Sequence, residues 1–240
     1  MTVTNDVTEH FHHMVMRNDP FWVRLITDPR LTSLARIFAD FIDTDLALFS
    51  SHYFIKQART GKAVAWHQDG AYWPLEPMHV LTLWLAVDQV DRGNGCLRLV
   101  RGSHTWHLAQ LAETARNGSD VLGSTTHTDQ DIMEDDVVDV EMEPGDVEIH
   151  HPNIVHSSLP NMSDRRRAGL TIRYMPPTTH CLSQSQPVLM VEGEKVPGIN
   201  QYRSWPKYRP GYDFPFTGTE TWNEKRRIES WDEPFFKRWV

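Results

Sequence analysis

Residues 167–174 read Arg167-Ala168-Gly169-Leu170-Thr171-Ile172-Arg173-Tyr174, a run in which apolar side chains alternate with polar or small ones. Because successive side chains of a strand point to opposite faces, this period of two predicts a β-strand. Short apolar or alternating runs, separated by Gly, Pro, Asn and Asp, fill the region after Asp45. They are Leu46–Ile55, Val80–Val87, Cys96–Val100, Val137–Met142, Asp146–Ile149 and Ala168–Met175. Many short strands at close spacing predict a mainly β protein, a sandwich or barrel with helices on one side.

The segments that flank this β region have a different character. Apolar residues in the first 45 positions recur at spacings of three and four, with an interruption near Pro29, which predicts helices. The last 64 residues are irregular and rich in proline. We therefore predict a single domain over 1–240, with a helical lead-in at 1–45, a β core at 46–176 and an aromatic segment at 177–240. We expect the tryptophans of that last segment to pack against the core, namely Trp205, Trp222, Trp231 and Trp239.

Composition and charge exclude several classes of protein. The chain has 40% hydrophobic and 23% charged residues, which is ordinary for a globular protein. Its formal net charge of -8 offers no clustered positive charge, so we expect neither nucleic acid nor a membrane as a partner. Two cysteines, Cys96 and Cys181, cannot build a disulfide framework, and no basic-then-apolar leader is visible at the N-terminus. We expect a cytoplasmic protein.

Two His-x-Asp sequences are candidates for a metal site, since side chains two apart on a strand share a face and can reach one ion. A histidine pair with one carboxylate holds iron in non-haem Fe(II) oxygenases. The first candidate, His67-Gln68-Asp69, follows the short apolar run Ala63–Trp66 and precedes an aromatic turn. The second, His127-Thr128-Asp129, lies in a polar stretch with the composition of a solvated loop. The context therefore favours His67 and Asp69.

The third ligand has three candidates in the segment 144–158, where two turns separate two short strands. His150 and His151 end the first of these strands, and His156 lies on the second. Position alone does not choose among the three.

A series of blocks follows these residues in a fixed order between positions 46 and 176. They are Trp66-His67-Gln68-Asp69, Trp84, Gly93-Asn94-Gly95-Cys96-Leu97, Gly102-Ser103-His104, Pro144-Gly145-Asp146, and His156-Ser157-Ser158 through Asn161 to Arg167. In order and spacing, these blocks resemble the phytanoyl-CoA dioxygenase family. The resemblance implies a double-stranded β-helix, a jelly-roll or cupin-like sandwich. It also implies an oxygenase that uses Fe(II), 2-oxoglutarate and O2.

The same resemblance assigns roles to particular residues. His67, Asp69 and His156 would be the iron ligands, and Arg167 would bind the distal carboxylate of 2-oxoglutarate. An arginine suits this task because its guanidinium forms a bidentate fork and stays charged in a cavity. Arg173, six positions later with the same strand parity, is the rival to Arg167.

Further contacts follow from the same family pattern. Ser158 and Trp84 match positions that contact the cosubstrate, and His52 is a more remote candidate for the same role. Gln57, Tyr72 and Trp73 are candidates for the wall of the substrate cavity. Because the carboxylate of Asp69 is present, hydroxylation is expected rather than halogenation, which in related enzymes uses a small residue at this position.

The leading hypothesis is thus a dioxygenase that oxidises a C–H bond of a small-molecule substrate and releases succinate and CO2. The alternatives are a non-catalytic jelly-roll binding protein, and a zinc or manganese hydrolase or isomerase with His150 or His151 as its base. The lead-in is short for the family, so phytanoyl-CoA itself is not implied as the substrate. Both a monomer and a homodimer are compatible with the sequence.

Overall fold

The structure is a computed structural model that describes residues 8–11, 20–38, 45–113, 122, 124–127, 129–183, 186–206 and 209. Two α-helices lie in these ranges, α1 (Pro20–Ile26) and α2 (Pro29–Phe38). The strands are β1 (Thr8–Phe11), β2 (Leu46–Lys56), β3 (Val64–Gln68), β4 (Leu75–Glu76), β5 (Leu81–Ala86), β6 (Leu97–Val100), β7 (Ala112–Glu113), β8 (Ser124–Thr125), β9 (Val137–Val140), β10 (Val147–His150), β11 (Val155–Ser158), β12 (Arg167–Met175), β13 (His180–Cys181), β14 (Val188–Glu192) and β15 (Tyr202–Arg203). Short 3-10 helices lie at Asp69–Tyr72, Arg92–Asn94, Ser103–Thr105, Asp129–Asp131 and Glu134–Asp136.

Two sheets form the body of the protein. The larger one has the strand order β10-β5-β12-β2-β14-β15, and β1 also pairs with β2. The smaller one has the order β3-β11-β6-β9. Neighbouring strands are antiparallel in both sheets except for the parallel pair β14 and β15. The prediction of a mainly β jelly-roll is confirmed.

Strand β12 shows how the alternating sequence produces this architecture. Its even-numbered apolar side chains, Leu170, Ile172 and Tyr174, belong to a core cluster that also contains residues of both helices. The Tyr174 hydroxyl donates a hydrogen bond to the main-chain carbonyl of Ile26 in α1 at 2.6 Å. The odd-numbered side chains therefore face the interior between the two sheets. The strand is buried along its whole length. Its even-numbered face packs in the core, and its odd-numbered face contributes to the site.

The helices cover the outer face of the larger sheet. Helix α2 begins at Pro29, a favoured first helical residue, and the Asp28 carboxylate accepts a hydrogen bond from the Arg30 main-chain nitrogen at 2.9 Å. The break at Pro29 thus separates two helices, as the sequence predicts. The helical prediction is wrong at Thr8–Phe11, which forms a strand because it pairs with the exposed edge of β2. Within the described ranges, no helix is long and apolar enough to cross a membrane.

The larger sheet extends past residue 176, where the predicted β core ends. Strand β14 pairs with the first residues of β2, and β1 pairs with the last residues of β2 along the same edge. Trp205 packs against the core cluster, and its indole nitrogen donates to the main-chain carbonyl of Met190 at 2.6 Å. The other three tryptophans of this segment, Trp222, Trp231 and Trp239, lie outside the described residues.

Gly169 allows the Trp84 indole to lie flat on the inner face of β12. A Cβ atom at position 169 would stand 1.9 Å from a ring carbon of Trp84, which no packing tolerates. We expect Gly169→Ala to lower the free energy of unfolding by at least about 2 kcal/mol, since a large side chain must leave its place. Urea denaturation checks this. Gly93→Ala is the control, because a Cβ there meets nothing closer than 3.3 Å and the expected change is below about 1 kcal/mol. Equal stability of Gly169→Ala and wild type would show that Trp84 is not held in this way.

Candidate metal centre

Three buried side chains with metal-binding atoms converge in the interior. His67 lies on β3, Asp69 opens the 3-10 helix that follows it, and His156 lies on β11, directly opposite His67 in the strand pairing. One ligand atom from each lies within 4.8 Å of the others. The His-x-Asp pattern predicts that Asp69 lies on the same strand as His67. Asp69 lies instead in the 3-10 turn after the strand, and this turn keeps its carboxylate beside His67. Within the described part of the chain, this is the one such group of three or more.

Main-chain hydrogen bonds orient both imidazole rings. Nδ1 of His67 lies 2.8 Å from the carbonyl oxygen of Ala65, and Nδ1 of His156 lies 3.1 Å from that of Ile154. A carbonyl only accepts, so Nδ1 carries the hydrogen in both rings. The nitrogen of each ring that is left to bind a metal is therefore Nε2, as in metal-bound histidines whose other nitrogen is hydrogen-bonded. Burial and the neighbouring His67 hold the pKa of His156 well below its usual range, which keeps this ring neutral.

Asp69 is held from one side by a buried arginine. Oδ1 faces Nε2 of His67 at 3.5 Å, while Oδ2 accepts a hydrogen bond from Nη2 of Arg173 at 3.1 Å. Burial alone would raise the pKa of Asp69. Arg173 and the nearby imidazole rings of His150 and His67 outweigh burial and hold this pKa well below its usual range. The carboxylate is therefore ionised, with Oδ1 available as a single-oxygen ligand.

A cavity of about 210 Å³ opens over this cluster. It brings together the predicted ligands with nearly all of the other predicted site residues, namely His52, Tyr72, Trp73, Trp84, Ser158 and Arg167. The contact of Gln57 with the substrate stays a prediction. This residue lies beyond the end of β2, in a turn where its carbonyl accepts a hydrogen bond from the Gly61 nitrogen at 3.0 Å, and it is not among the described residues that line the cavity. The strand passes the cavity with His52 and Phe54 instead.

Arg167 is a buried cation with no carboxylate partner in the described part of the chain. Its side chain lines the cavity with only 2% of the residue exposed. Nε and Nη2 donate to the carbonyl of Gly95 at 3.1 and 2.7 Å, and the guanidinium lies over the Trp84 ring at 5.0 Å. Burial lowers the pKa of Arg167 to about 10, so it stays charged at neutral pH. A buried charge without a counter-ion is costly, and this geometry therefore suits an anionic ligand.

Arg173 differs from Arg167 because both of its terminal guanidinium nitrogens, Nη1 and Nη2, donate to protein side chains. Besides Asp69, its guanidinium bonds Nδ1 of His52 at 2.8 Å and the Thr171 hydroxyl at 3.1 Å. Its charge also lies over the Trp73 ring at 4.9 Å. Of the two arginines that point inward from β12, Arg167 is thus the one with a charge left to neutralise.

Arg165 and Arg166 lie on the surface, as the sequence indicates. Arg166 forms a bidentate pair with Asp88 at 2.9 Å, and Arg165 bonds Asp91 and Gln89. Both arginines are about half exposed and lie outside the cavity lining among the described residues.

The other two candidates for the third ligand have different surroundings. His151 is exposed and lies beside His104, with 6.4 Å between the ring centroids. His150 is buried at the end of β10, and its Nδ1 bonds the Glu148 carboxylate at 2.8 Å. Burial opposes the charged form of His150, but Glu148 and Asp69 outweigh it and raise its pKa to about 9. His150 lies next to the cluster without joining it.

The second His-x-Asp sequence has a structural task. Asp129 accepts a hydrogen bond from the Trp66 indole nitrogen at 2.9 Å, and the His127 ring lies 5.7 Å from that of Trp106. His127 and Asp129 therefore contact neighbouring aromatic side chains, and they belong to no metal-binding group among the described residues.

Sequence reasoning missed the partner of Asp69 and part of the cavity wall. The Arg173–Asp69 pair joins the two sheets. A local sequence pattern cannot predict a contact between residues that are 104 positions apart. The alternation of side chains along a strand was the available signal for these inward-facing residues. It places Thr171 on the same face of β12 as Arg173, and Glu148 on the same face of β10 as His150. Further lining residues not foreseen are Phe54, Val64, Leu97, Leu122, Ser157 and Thr171.

Loss of Arg173 is expected to destabilise the metal-free protein. Arg173→Met leaves the Asp69 carboxylate buried without its main partner, which should lower the free energy of unfolding by about 3 kcal/mol. Urea denaturation in the presence of a chelator measures this change. Arg166→Met breaks a half-exposed pair and should cost less than about 1 kcal/mol. Equal costs for the two variants would show that the Arg173–Asp69 contact contributes no more than a surface pair.

Comparison with known proteins places the chain in a family. The family model for phytanoyl-CoA dioxygenase (PhyH) matches residues 2–169. Phytanoyl-CoA dioxygenase domain-containing protein 1 of Rattus norvegicus is 29% identical over 168 residues, which are 68% of this chain and 55% of the rat protein. The chain thus spans about half the length of the curated relatives that it matches.

Solved structures share the fold. The non-heme monooxygenase ThoJ, in its apo form, superposes with a TM-score of 0.69 at 24% identity, over 86% of this chain and 73% of ThoJ. SnoK, a non-heme α-ketoglutarate-dependent carbocyclase from nogalamycin biosynthesis, does so with a TM-score of 0.58 at 24% identity, over 74% of this chain and 68% of SnoK. With the family model matching more than half of its length, the chain belongs to the phytanoyl-CoA dioxygenase (PhyH) family.

Proposed function

We propose that this protein is an Fe(II)- and 2-oxoglutarate-dependent dioxygenase that oxidises, by hydroxylation, a C–H bond of a small molecule. The observation that carries the proposal is one cavity that contains both the His67–Asp69–His156 cluster and the unpaired, buried Arg167. Family membership and the α-ketoglutarate dependence of SnoK, a protein of the same fold, support the same class of reaction.

The donor set fits Fe(II). Two neutral imidazole nitrogens and one carboxylate oxygen are the ligands of the non-haem iron facial site, which leaves other coordination positions open. Bound Fe(II), with 2-oxoglutarate and O2, would supply the oxidising chemistry, and succinate and CO2 would be released. The protein's part is to hold the metal through His67, Asp69 and His156 in a buried site.

Arg167 has the task of binding the far carboxylate of 2-oxoglutarate. Its charge, its burial and the lack of a protein counter-ion among the described residues suit this role. Trp84 lies under the guanidinium and fixes its plane, and Ser158 lines the same part of the cavity. His52 accepts a hydrogen bond from Arg173 and so supports Asp69 at one remove, and its contact with the cosubstrate stays a prediction.

The substrate is a small molecule in this proposal, because the cavity that the described residues enclose measures only about 210 Å³. Tyr72 and Trp73 contribute aromatic walls. The Tyr72 hydroxyl donates to the main-chain carbonyl of Ser124 at 2.9 Å, which fixes the ring at the side of the cavity.

An anaerobic titration tests the proposal without knowledge of the substrate. Metal-free protein receives Fe(II) and then 2-oxoglutarate, and visible absorption is recorded for the metal-to-ligand charge-transfer band of the chelated keto acid. We expect a band that appears only when both are present and that saturates at one equivalent of each. Folded protein that gives no band would refute the proposal. Tight Zn(II) or Mn(II) binding without 2-oxoglutarate binding would then favour a hydrolase or isomerase, and binding of neither would favour a non-catalytic jelly-roll.

A further inference from the structure

Four polar side chains form one row across the larger sheet. Strand pairing places His150 of β10 opposite Thr82 of β5, Thr82 opposite Arg173 of β12, and Arg173 opposite Ser50 of β2. We call these four residues the polar row. Each is buried, and each has one atom without a hydrogen-bond partner, namely Nε2 of His150, Oγ1 of Thr82, Nε of Arg173 and Oγ of Ser50. Five such atoms occur among the described residues, and four of them are in this row.

This concentration indicates a ligand. Buried polar atoms almost always have a partner, and an isolated exception can be structural. Here four buried polar atoms without a partner lie in one line across neighbouring strands. One common cause explains them more simply than four separate causes. Of the four residues, His150 and Arg173 are among the described residues that line the cavity, so a polar group in the cavity can reach these two.

The polar row lies away from the proposed cosubstrate subsite. Arg173 is six residues further along β12 than Arg167, which corresponds to about 20 Å of strand. The row contacts the metal cluster at Asp69, whose Oδ2 lies 3.1 Å from Arg173 and 3.7 Å from Nε2 of His150. A 2-oxoglutarate that reaches from the cluster toward Arg167 therefore leaves the row to the primary substrate.

Glu148 fixes the direction of the His150 ring. Its two carboxylate oxygens lie 2.8 and 3.1 Å from Nδ1, which leaves Nε2 as the atom that faces the cavity. The two residues are separated by one position on β10 and therefore share its inner face. The pair is thus a prepared hydrogen-bonding group rather than a histidine that happens to be buried.

The charges of the row favour a neutral ligand group. Arg173 is paired with Asp69, and His150 with Glu148, so each member that can carry a positive charge already has a carboxylate partner. A hydroxyl group both donates and accepts, so it can bond the imidazole Nε2 whichever role that nitrogen takes. Aromatic side chains, Phe54, Tyr72 and Trp73, line the same cavity and suit an apolar body.

We propose that the polar row, through Nε2 of His150, binds a hydroxyl group of an otherwise apolar substrate beside the metal. This inference rests on the proposed function of the site. It makes His150 a residue that determines substrate specificity and assigns the substrate to the class of small alcohols.

Three probes of nearly equal size test the inference, namely benzyl alcohol, toluene and benzoate. Their dissociation constants are measured by saturation-transfer NMR on protein loaded with 2-oxoglutarate and Zn(II), a diamagnetic substitute for iron that supports no turnover. We expect benzyl alcohol to bind at least about fivefold more tightly than toluene or benzoate, the ratio of one net hydrogen bond. His150→Phe should remove the advantage over toluene, and His104→Phe, the same change at an exposed histidine, should retain it.

Two further measurements separate the possible failures. The Fe(II)–2-oxoglutarate band of His150→Phe should match that of wild type, with Fe(II) affinity within about threefold, whereas a residue that merely orients a ligand would cost 10- to 100-fold. Glu148→Leu, which frees the ring, should reduce the preference for benzyl alcohol. Benzoate as the tightest probe, no preference for benzyl alcohol in wild type, or an unchanged preference in His150→Phe would overturn the inference. Absence of the band in wild type would instead refute the proposed function.

Discussion

His67→Ala is expected to abolish Fe(II) binding in the concentration range where wild type is saturated. Nε2 of His67 is one of the three proposed ligand atoms, and the alanine leaves two of them, on Asp69 and His156. Loss of a hydrogen bond behind a metal ligand already costs 10- to 100-fold in affinity, so loss of the ligand itself should exceed about 100-fold. Anaerobic titration with Fe(II), followed through the band that 2-oxoglutarate produces, measures this loss.

The chain contains its own control for this variant. His127→Ala makes the same substitution in the other His-x-Asp sequence, which lies outside the metal-binding group of the described residues. We expect Fe(II) affinity within about threefold of wild type there, since the change touches no proposed ligand. If His127→Ala lost the metal and His67→Ala kept it, the assignment of the centre to β3 and β11 would be wrong.

The second large effect concerns the cosubstrate. Arg167→Met should weaken 2-oxoglutarate binding by about 150- to 4,000-fold, because a carboxylate then enters a buried site without its counter-ion, at a cost of about 3–5 kcal/mol. Fe(II) affinity should change little, since Arg167 contacts Gly95 and Trp84 rather than the metal cluster. Under anaerobic conditions, isothermal titration of the metal-loaded protein with 2-oxoglutarate gives the first affinity, and titration of the metal-free protein with Fe(II) gives the second.

Two neighbouring arginines provide matched controls for Arg167. Arg166→Met changes the adjacent residue but only breaks a half-exposed pair with Asp88, so 2-oxoglutarate affinity should stay within about twofold of wild type. Arg173→Met should act mainly on stability and on the metal, because Arg173 bonds Asp69. A loss of 2-oxoglutarate affinity that is larger in Arg173→Met than in Arg167→Met would reverse the roles of the two arginines.

The alternation in β12 made much of the fold predictable. Its odd and even residues face different layers, and the sequence shows this directly. The helices α1 and α2 could also be predicted from the sequence, because their apolar spacing and the proline between them are local features. Strand β1 was not, since four residues become a strand only through pairing with the edge of β2.

Prediction of the site had a similar limit. Context on either side of His67 was enough to choose between two His-x-Asp sequences, and family resemblance supplied His156 and Arg167. Contacts between the two sheets, such as that of Arg173 with Asp69, were not predicted. Strand parity gives the face on which a side chain lies but not its partner on the other sheet. The sequence also did not show that β2 ends at Lys56, one residue before Gln57.

The polar row illustrates what only the paired strands reveal. His150, Thr82, Arg173 and Ser50 are scattered along the chain, and each could be a satisfied core residue when considered alone. Their alignment appears only with the register of four strands. The choice of a hydroxyl-bearing substrate therefore depends on the tertiary structure in a way that the His-x-Asp pair does not.

The central claim is that one cavity holds a metal ion and 2-oxoglutarate in a fixed relation. A crystal structure of the protein grown anaerobically with Fe(II) and 2-oxoglutarate, with the metal located by anomalous scattering at the iron edge, tests it most directly. We expect iron on Nε2 of His67, Oδ1 of Asp69 and Nε2 of His156, with the far carboxylate of 2-oxoglutarate on Arg167. Iron at any other set of residues, or a 2-oxoglutarate whose far carboxylate points to Arg173 and the polar row, would contradict it.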